Sequence, residues 1–228
     1  MTKVDEIVGF LKQNIKEPPK RILDLCCGYG ELVNAFSSTY PHSTVYGLDI
    51  NREALAFGIV KGRFKKAVPV HGDAFNLGKE DPNFTLVHFD PNPKNYIEGH
   101  VDLREVEHTK LKESLKDFDL VTAVNPFNKI PTSLFYRFQL GKLQEVPITP
   151  DIISLPAKKG GHVLYEMEIA HRAGMNFRYE PEDITEKITG KFLNKMINNI
   201  KNPNLEYVSH NVINGNDSKD LAVLFKKT

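Results

Sequence analysis

Apolar positions along the chain switch between a helical period and a strand period, and the switching predicts an alternation of elements. Val4, Ile7, Val8, Leu11 and Ile15 recur at helical spacing, with Pro18 and Pro19 beyond them as a stop. Ile22–Leu25 reads as a short buried strand closed by Gly28-Tyr29-Gly30, and Glu31–Phe36 begins a second helix. Thr44–Leu48 reads as a strand ending at Asp49, and Asn51 is placed to cap a helix running to about Lys61. Ala67–Val70 gives a third strand, followed by His71-Gly72-Asp73-Ala74. Strands alternating with helices predict βαβ units and a doubly wound parallel sheet in three layers.

The second half is less regular. Residues 77–103 read as an inserted hairpin or lid, holding Phe84-Thr85-Leu86-Val87-His88-Phe89 and then Asp90-Pro91-Asn92-Pro93-Lys94, a turn-rich run. Glu105–Leu115 has a helical pattern, and Leu120–Val124 is a fourth strand ending at Asn125-Pro126-Phe127. Ser133–Leu143 is expected to be a helix. Lys158–Gly161 is expected to turn into a strand His162–Glu166, and Asp183–Ile200 repeats apolar residues at helical spacing through Ile184, Ile188, Phe192, Met196 and Ile200. Leu205–Ile213 and Leu221–Phe225 are separated by Asn214-Gly215, which favours a tight antiparallel return. The chain is expected to form one domain over residues 1–228, with no internal repeat.

Composition narrows the class. The 228 residues are 40% hydrophobic and 26% charged, enough for a full core. The formal net charge is +1, so no global field favours a polyanion. No apolar run is long enough to span a bilayer, and the amphipathic N-terminus lacks the apolar block of a signal peptide. The two cysteines, Cys26 and Cys27, are neighbours and cannot staple distant parts of a fold. A cytoplasmic location, no membrane partner and two small buried thiols are the expectations, with no metal site.

Four strand ends carry polar or glycine residues, and in a doubly wound sheet ligands bind outside the carboxyl ends of parallel strands. Asp24, Gly28 and Gly30 belong to the first end. The glycines let backbone approach a ligand, and the following helix points its N–H groups there. Asp49 ends the second strand, where a carboxylate can accept from two ribose hydroxyls. Asp73 ends the third, where it can accept from an adenine amino group, with the Ala74 N–H facing a ring nitrogen. Asn125 ends the fourth.

These residues carry a resemblance. Ile22-Leu23-Asp24-Leu25-Cys26-Cys27-Gly28-Tyr29-Gly30 resembles motif I of class I S-adenosylmethionine (SAM)-dependent methyltransferases. Asp49 matches their ribose-binding acid, and Gly72-Asp73-Ala74 their adenine-binding segment. Phe118-Asp119-Leu120-Val121 through Phe127 resembles motif IV, and Lys158-Lys159-Gly160-Gly161-His162 the entry to their fifth strand. Cys26 departs from the glycine usual there, a variant also found in quinone-biosynthesis methyltransferases. The resemblance implies a seven-stranded, mostly parallel sheet with an antiparallel last strand. It implies SAM as cofactor and S-adenosylhomocysteine (SAH) as product. Asp24, Cys26, Gly28 and Gly30 would hold the methionine end, Asp49 and Ile50 the ribose, and Asp73 and Ala74 the adenine, with Asn125 beside the methyl group.

The acceptor is harder to read. Asn125-Pro126-Phe127 resembles, with one proline missing, the Asn-Pro-Pro-aromatic signature of enzymes that methylate amino groups on adenine or glutamine. That makes the three residues candidate catalytic groups. The alternative for this segment is a strand-end turn with Phe127 in the core. Asp90–Lys94 faintly resembles a segment of tRNA guanine methyltransferases, and its turn chemistry explains it as well. His162 and His171, with Glu166 and Glu168, are candidates for the acceptor side. His71, His88, His100 and His108 show no metal-binding spacing. Lys61, Arg63, Lys65 and Lys66 form a basic run, either a phosphate contact or a solvated helix end. Tyr136, Arg137 and Phe138 are either substrate contacts or an amphipathic helix.

A small molecule is favoured as acceptor, because the near-neutral charge offers little to nucleic acid. Nucleic acid or protein is the alternative, and the oligomeric state is left open. A nicotinamide dehydrogenase is the rival enzyme, but it would need a third glycine at Val33. A polyamine synthase would need an acid at Asn125. A third rival is a non-catalytic protein that keeps the fold as a binding module, against which intact Asp49 and Asp73 argue.

Overall fold

The computed structural model describes residues 2–77, 79, 83–89, 107–111, 115–124, 150–171, 186–214 and 218–228. The first helix, α1, spans Lys3–Asn14. It starts with a capping box in which Thr2 and Asp5 exchange side-chain and backbone hydrogen bonds. It buries Ile7, Val8, Phe10 and Leu11 and stops before the two prolines.

The expected alternation follows as β1 (Arg21–Leu25), α2 (Glu31–Thr39), β2 (Thr44–Asp49), α3 (Arg52–Val60) and β3 (Ala67–His71). Asn51 caps α3 by accepting from the Ala54 N–H. Then come β4 (Thr85–His88), β5 (Glu107–Lys110), β6 (Phe118–Val124), a short α4 (Pro150–Ile153), β7 (Ala157–His171), α5 (Glu186–Asn199), β8 (Leu205–Asn214) and β9 (Ser218–Lys227).

The strands make one sheet in the order β5-β4-β3-β2-β1-β6-β7-β9-β8. Its centre, β3-β2-β1-β6-β7, is parallel throughout. Both flanks are antiparallel. The α/β class holds, but nine described strands replace the expected seven, and the sheet is mixed rather than mostly parallel. The extra pair is β4 and β5. It corrects the helix expected over Glu105–Leu115, because Glu107–Lys110 lies in register against Thr85–His88. Intrinsic helix propensity is a weak preference even for Glu and Lys, and edge pairing on β4 overrides it.

A second correction concerns Lys158–Gly161. It is not a turn before the strand but part of β7, where the pairing with β6 shifts register between Phe118 and Leu120 and Gly160 takes a φ of 78°. The antiparallel β8–β9 pair forms as expected. The helix Ser133–Leu143, the segment Asp90–Lys94, the residues Tyr136, Arg137 and Phe138, and most of the insert lie outside the described residues.

Alternation along the strands gives the sheet two apolar faces. Ile22, Val45, Leu120, Leu164 and Leu224 pack with residues of α1, α2 and α3. Leu23, Leu25, Leu48, Val121, Val163 and Val223 pack on the other side with Ile153 of α4 and Leu193 and Met196 of α5. The result is three layers whose central parallel strands all end on one edge.

Candidate functional site

That edge is built by the turns after β1, β2 and β3, and hydrogen bonds join all three. The Gly28 N–H donates to Asp49 Oδ2 at 2.7 Å. The Cys27 N–H donates to the Leu48 carbonyl at 3.1 Å, and the Gly72 N–H to the Asp49 carbonyl at 3.0 Å. Asp49 Oδ1 accepts from the Asn51 N–H at 2.8 Å. A carboxylate offers about four lone-pair sites, so Asp49 can hold its own turn and still accept from a diol.

The β1 turn depends on unusual backbone. Gly28 and Gly30 have φ of 54° and 77°, and Cys26 reaches the same left-handed region at 57°. Glycine makes two of these three positions inexpensive. At Gly30 a side chain would also drive into the Phe64 ring, 2.6 Å from a Cβ. Beside the turn, Tyr29 packs against Phe57 at 5.2 Å between centroids.

Asp24 is almost wholly buried, at 2% exposure. Thr122 Oγ1 donates to Asp24 Oδ1 at 2.6 Å. Burial pushes the Asp24 carboxyl up to about 7; the Thr122 hydrogen bond opposes that, and the charge of Asp49 adds to it. The Cys26 thiol is raised by burial and then by the charges of Asp49, Asp24 and Asp73. The charges of three carboxylates therefore reach one turn. Cys27 is likewise raised by burial, and both thiols are free, so neither is suited to act as a nucleophile.

Asp73 caps the short 3₁₀ turn Ala74–Asn76, accepting from the Phe75 N–H at 3.0 Å, and Ala74 is buried. Ile50 stands 60% exposed between Asp49 and Asn51, an apolar surface on the edge itself. Its carbonyl accepts from His71 Nε2 at 3.2 Å, which makes that nitrogen the protonated one. His108 of β5 lies edge-on to His71 at 5.5 Å. Burial, His108 and Arg52 lower the His71 pKa, against the Ile50 carbonyl and Asp49, which raise it.

The structure thus brings Asp24, Cys26, Gly28, Gly30, Asp49, Ile50, Asp73 and Ala74 to one edge. Asn125, Pro126 and Phe127 lie outside the described residues. Glu166 and His162 do not form the acceptor wall expected of them. Glu166 is fully buried in an ion pair with Lys3 at 2.9 Å. His162 pairs with Leu120, toward the amino end of the strands, and burial lowers its pKa. The side chains of Glu168 and His171 are outside the described set. Two residues of the basic run have local partners: Arg63 binds Glu31 at 3.1 Å and the Tyr29 carbonyl at 3.4 Å, and Lys61 lies over Phe57. Among the described residues no group of three metal-ligating side chains occurs, and no helix is long and apolar enough to cross a membrane.

Thr122 and His71 were not singled out as site residues. Thr122 does leave a trace, as a polar residue at an inward position of the apolar strand Leu120–Val124.

Residues 22–98 match the family model described as a methyltransferase domain. Over its whole length the chain is similar in fold to the N-methyltransferase NodS of Bradyrhizobium japonicum, with a TM-score of 0.51 and 13% identity over 99% of this chain and 94% of that one. The chain has the fold of class I SAM-dependent methyltransferases. The magnesium protoporphyrin IX methyltransferase of Synechocystis, solved with bound SAH, has the same fold, with a TM-score of 0.51 and 12% identity over 99% of this chain and 82% of that one. Among curated proteins, the demethylmenaquinone methyltransferase of Staphylococcus haemolyticus is 34% identical over 88 residues, 38% of this chain. The matched stretch is 37% of that relative's length. The family match covers the turns that build the edge.

Proposed function

We propose that the chain is a SAM-dependent methyltransferase acting on a small-molecule acceptor, the whole chain working as one domain in the cytoplasm. The observation that carries this reading is the gathering of Asp24, Asp49 and Asp73 around the Cys26–Gly30 turn. SAM has three polar features: an ammonium, a ribose diol and an adenine amine. The donor set fits it. Asp24 offers a buried acid to the ammonium, Asp49 a carboxylate to the diol, and Asp73 an acceptor to the adenine amine. Ile50 offers an apolar surface beside the ribose and base.

When bound, SAM supplies a methyl group on a positively charged sulfur, ready for in-line displacement. The chain's contribution is then to fix the cofactor and exclude water while a nucleophile approaches. Asn125, Pro126 and Phe127 follow β6 directly in sequence, and we assign them to the acceptor side. A small molecule is supported by the near-neutral net charge and by the relative named for a quinone precursor. The second reading is amino-group methylation of nucleic acid or protein, which rests on Asn125-Pro126-Phe127.

Calorimetry with SAM, SAH and NADH tests the cofactor. SAM and SAH should bind at micromolar to sub-millimolar levels and NADH should not; the reverse result overturns the assignment. Incubation with methyl-tritiated SAM and a cell extract, separated into small molecules, RNA and protein, tests the acceptor. Label in the RNA or protein fraction instead of the small-molecule fraction would favour the second reading.

A further inference from the structure

The cofactor edge contains a wholly buried hydroxyl that packing does not require. Thr122 sits in β6 directly opposite Asp24 of β1 in the parallel pairing. Its neighbours in the strand are Val121 and Ala123, and a valine would fill the same volume. A hydroxyl in such a place needs a hydrogen-bond partner. That partner is the Asp24 carboxylate, 2.6 Å away across the strand pair, and both residues are buried.

We propose that Thr122 is a positioning residue of the cofactor site: its hydroxyl orients the Asp24 carboxylate, leaving the second oxygen to receive the ammonium of the cofactor. This rests on the SAM reading above and adds the residue through which Asp24 is set. The physical argument has two parts. A hydrogen bond to one oxygen fixes the plane of the carboxylate, so the other oxygen points in one direction before any ligand arrives. A donor hydroxyl also favours the ionised form, against burial and the like charge of Asp49. Among the described residues, the Cys26 and Cys27 thiols also feel the Asp24 charge, and burial holds both neutral. Without Thr122, burial and Asp49 leave Asp24 neutral over a wider pH range, and a neutral carboxyl offers an ammonium no charge.

The test compares wild type, Thr122→Val and Thr122→Ser by two readouts. Carbon-13 NMR of the ligand-free chain follows the Asp24 carboxyl, assigned by its loss in Asp24→Asn. Calorimetry follows SAH affinity from acidic to alkaline pH. Thr122→Val should raise the Asp24 midpoint and weaken SAH on the order of tenfold at neutral pH. The deficit should narrow at alkaline pH, where Asp24 ionises unaided. Thr122→Ser should restore both readouts, and in an Asp24→Asn background Thr122→Val should leave SAH affinity unchanged. Thr122→Ala gives the same readouts if the valine variant does not fold. An unchanged Asp24 midpoint overturns the proposal, as does a shifted midpoint with wild-type SAH affinity at every pH. A wild-type chain that binds neither SAM nor SAH overturns the cofactor reading itself and this proposal with it. That failure is told apart because it appears before any substitution is made.

Discussion

The backbone N–H of Gly28 donates to the Asp49 carboxylate at 2.7 Å, joining two strand ends separated by 21 residues of chain. Asp49 thereby has two duties. It holds the glycine turn in place, and under the proposed function it also accepts from the ribose. Asp49→Ala should remove both, weakening SAH by about 1.5–3 kcal/mol, since hydrogen bonds to a charged group are involved. Asp49→Asn keeps one oxygen acceptor and should lose less. Calorimetry on both variants checks the order, and equal affinity for SAH in all three proteins would refute the role.

The Asp24 carboxyl predicts how stability depends on pH. Its folded pKa of about 7 lies above its ordinary value of 3.8. Between those two values the folded chain holds a proton that the unfolded chain has lost, so stability falls as pH rises through this window. Thermal unfolding of the ligand-free protein should show this decline, and Asp24→Asn should flatten it. SAM or SAH should counteract the loss near neutral pH, releasing a proton on binding. That release is measurable as a dependence of the calorimetric heat on the buffer's ionisation enthalpy.

The strands of the nucleotide-binding half were legible because their physics is local. Ile22–Leu25 and Thr44–Leu48 are short, mostly apolar runs, and each leads to the polar or glycine residues at the edge. The β4–β5 pair was not legible as such. Glu107–Lys110 is a four-residue edge strand with mostly exposed side chains, so no alternating apolar pattern marks it. Its partner Thr85–His88 fixes it, and pairing between segments this far apart leaves no trace in either one. The meeting of Asp24, Asp49 and Asp73 on one edge was legible from their place at strand ends. Thr122 and His71 were not, because their roles lie in contacts with Asp24 and with the Ile50 carbonyl, made across the sheet.

The same substitution should have opposite effects in two helices. Gly9 lies in α1 with nothing within 4 Å of an added Cβ, so Gly9→Ala should stabilise by about 0.5–1 kcal/mol through helix propensity alone. Gly58 lies in α3, where an added Cβ would stand 2.5 Å from the Tyr29 carbonyl in the glycine turn. A backbone atom cannot rotate away as a side chain can. Gly58→Ala should therefore destabilise by about 1–3 kcal/mol and weaken SAH by displacing the turn. Chemical denaturation and calorimetry on the two variants measure both effects; a stabilised Gly58→Ala with normal affinity would show that the turn is free to shift.

Lys3 sets the last expectation. Its ammonium lies 2.9 Å from both Glu166 and Asp220, whose side chains are fully buried, and so ties the start of α1 to β7 and β9. Lys3→Met would leave two buried carboxylates without that cation, a loss of about 3 kcal/mol. Burial lowers the Lys3 pKa, but the charge of Glu166 and the hydrogen bonds Lys3 donates to both acids outweigh it, and the net shift is upward from 10.5. A raised lysine contributes its full stability below its unfolded pKa and loses it only as pH rises through the folded one. The gap in unfolding free energy between wild type and Lys3→Met should thus stay level through neutral and mildly alkaline pH and close only above about 10.5. A gap that closes near neutrality would mean that another group carries the interaction.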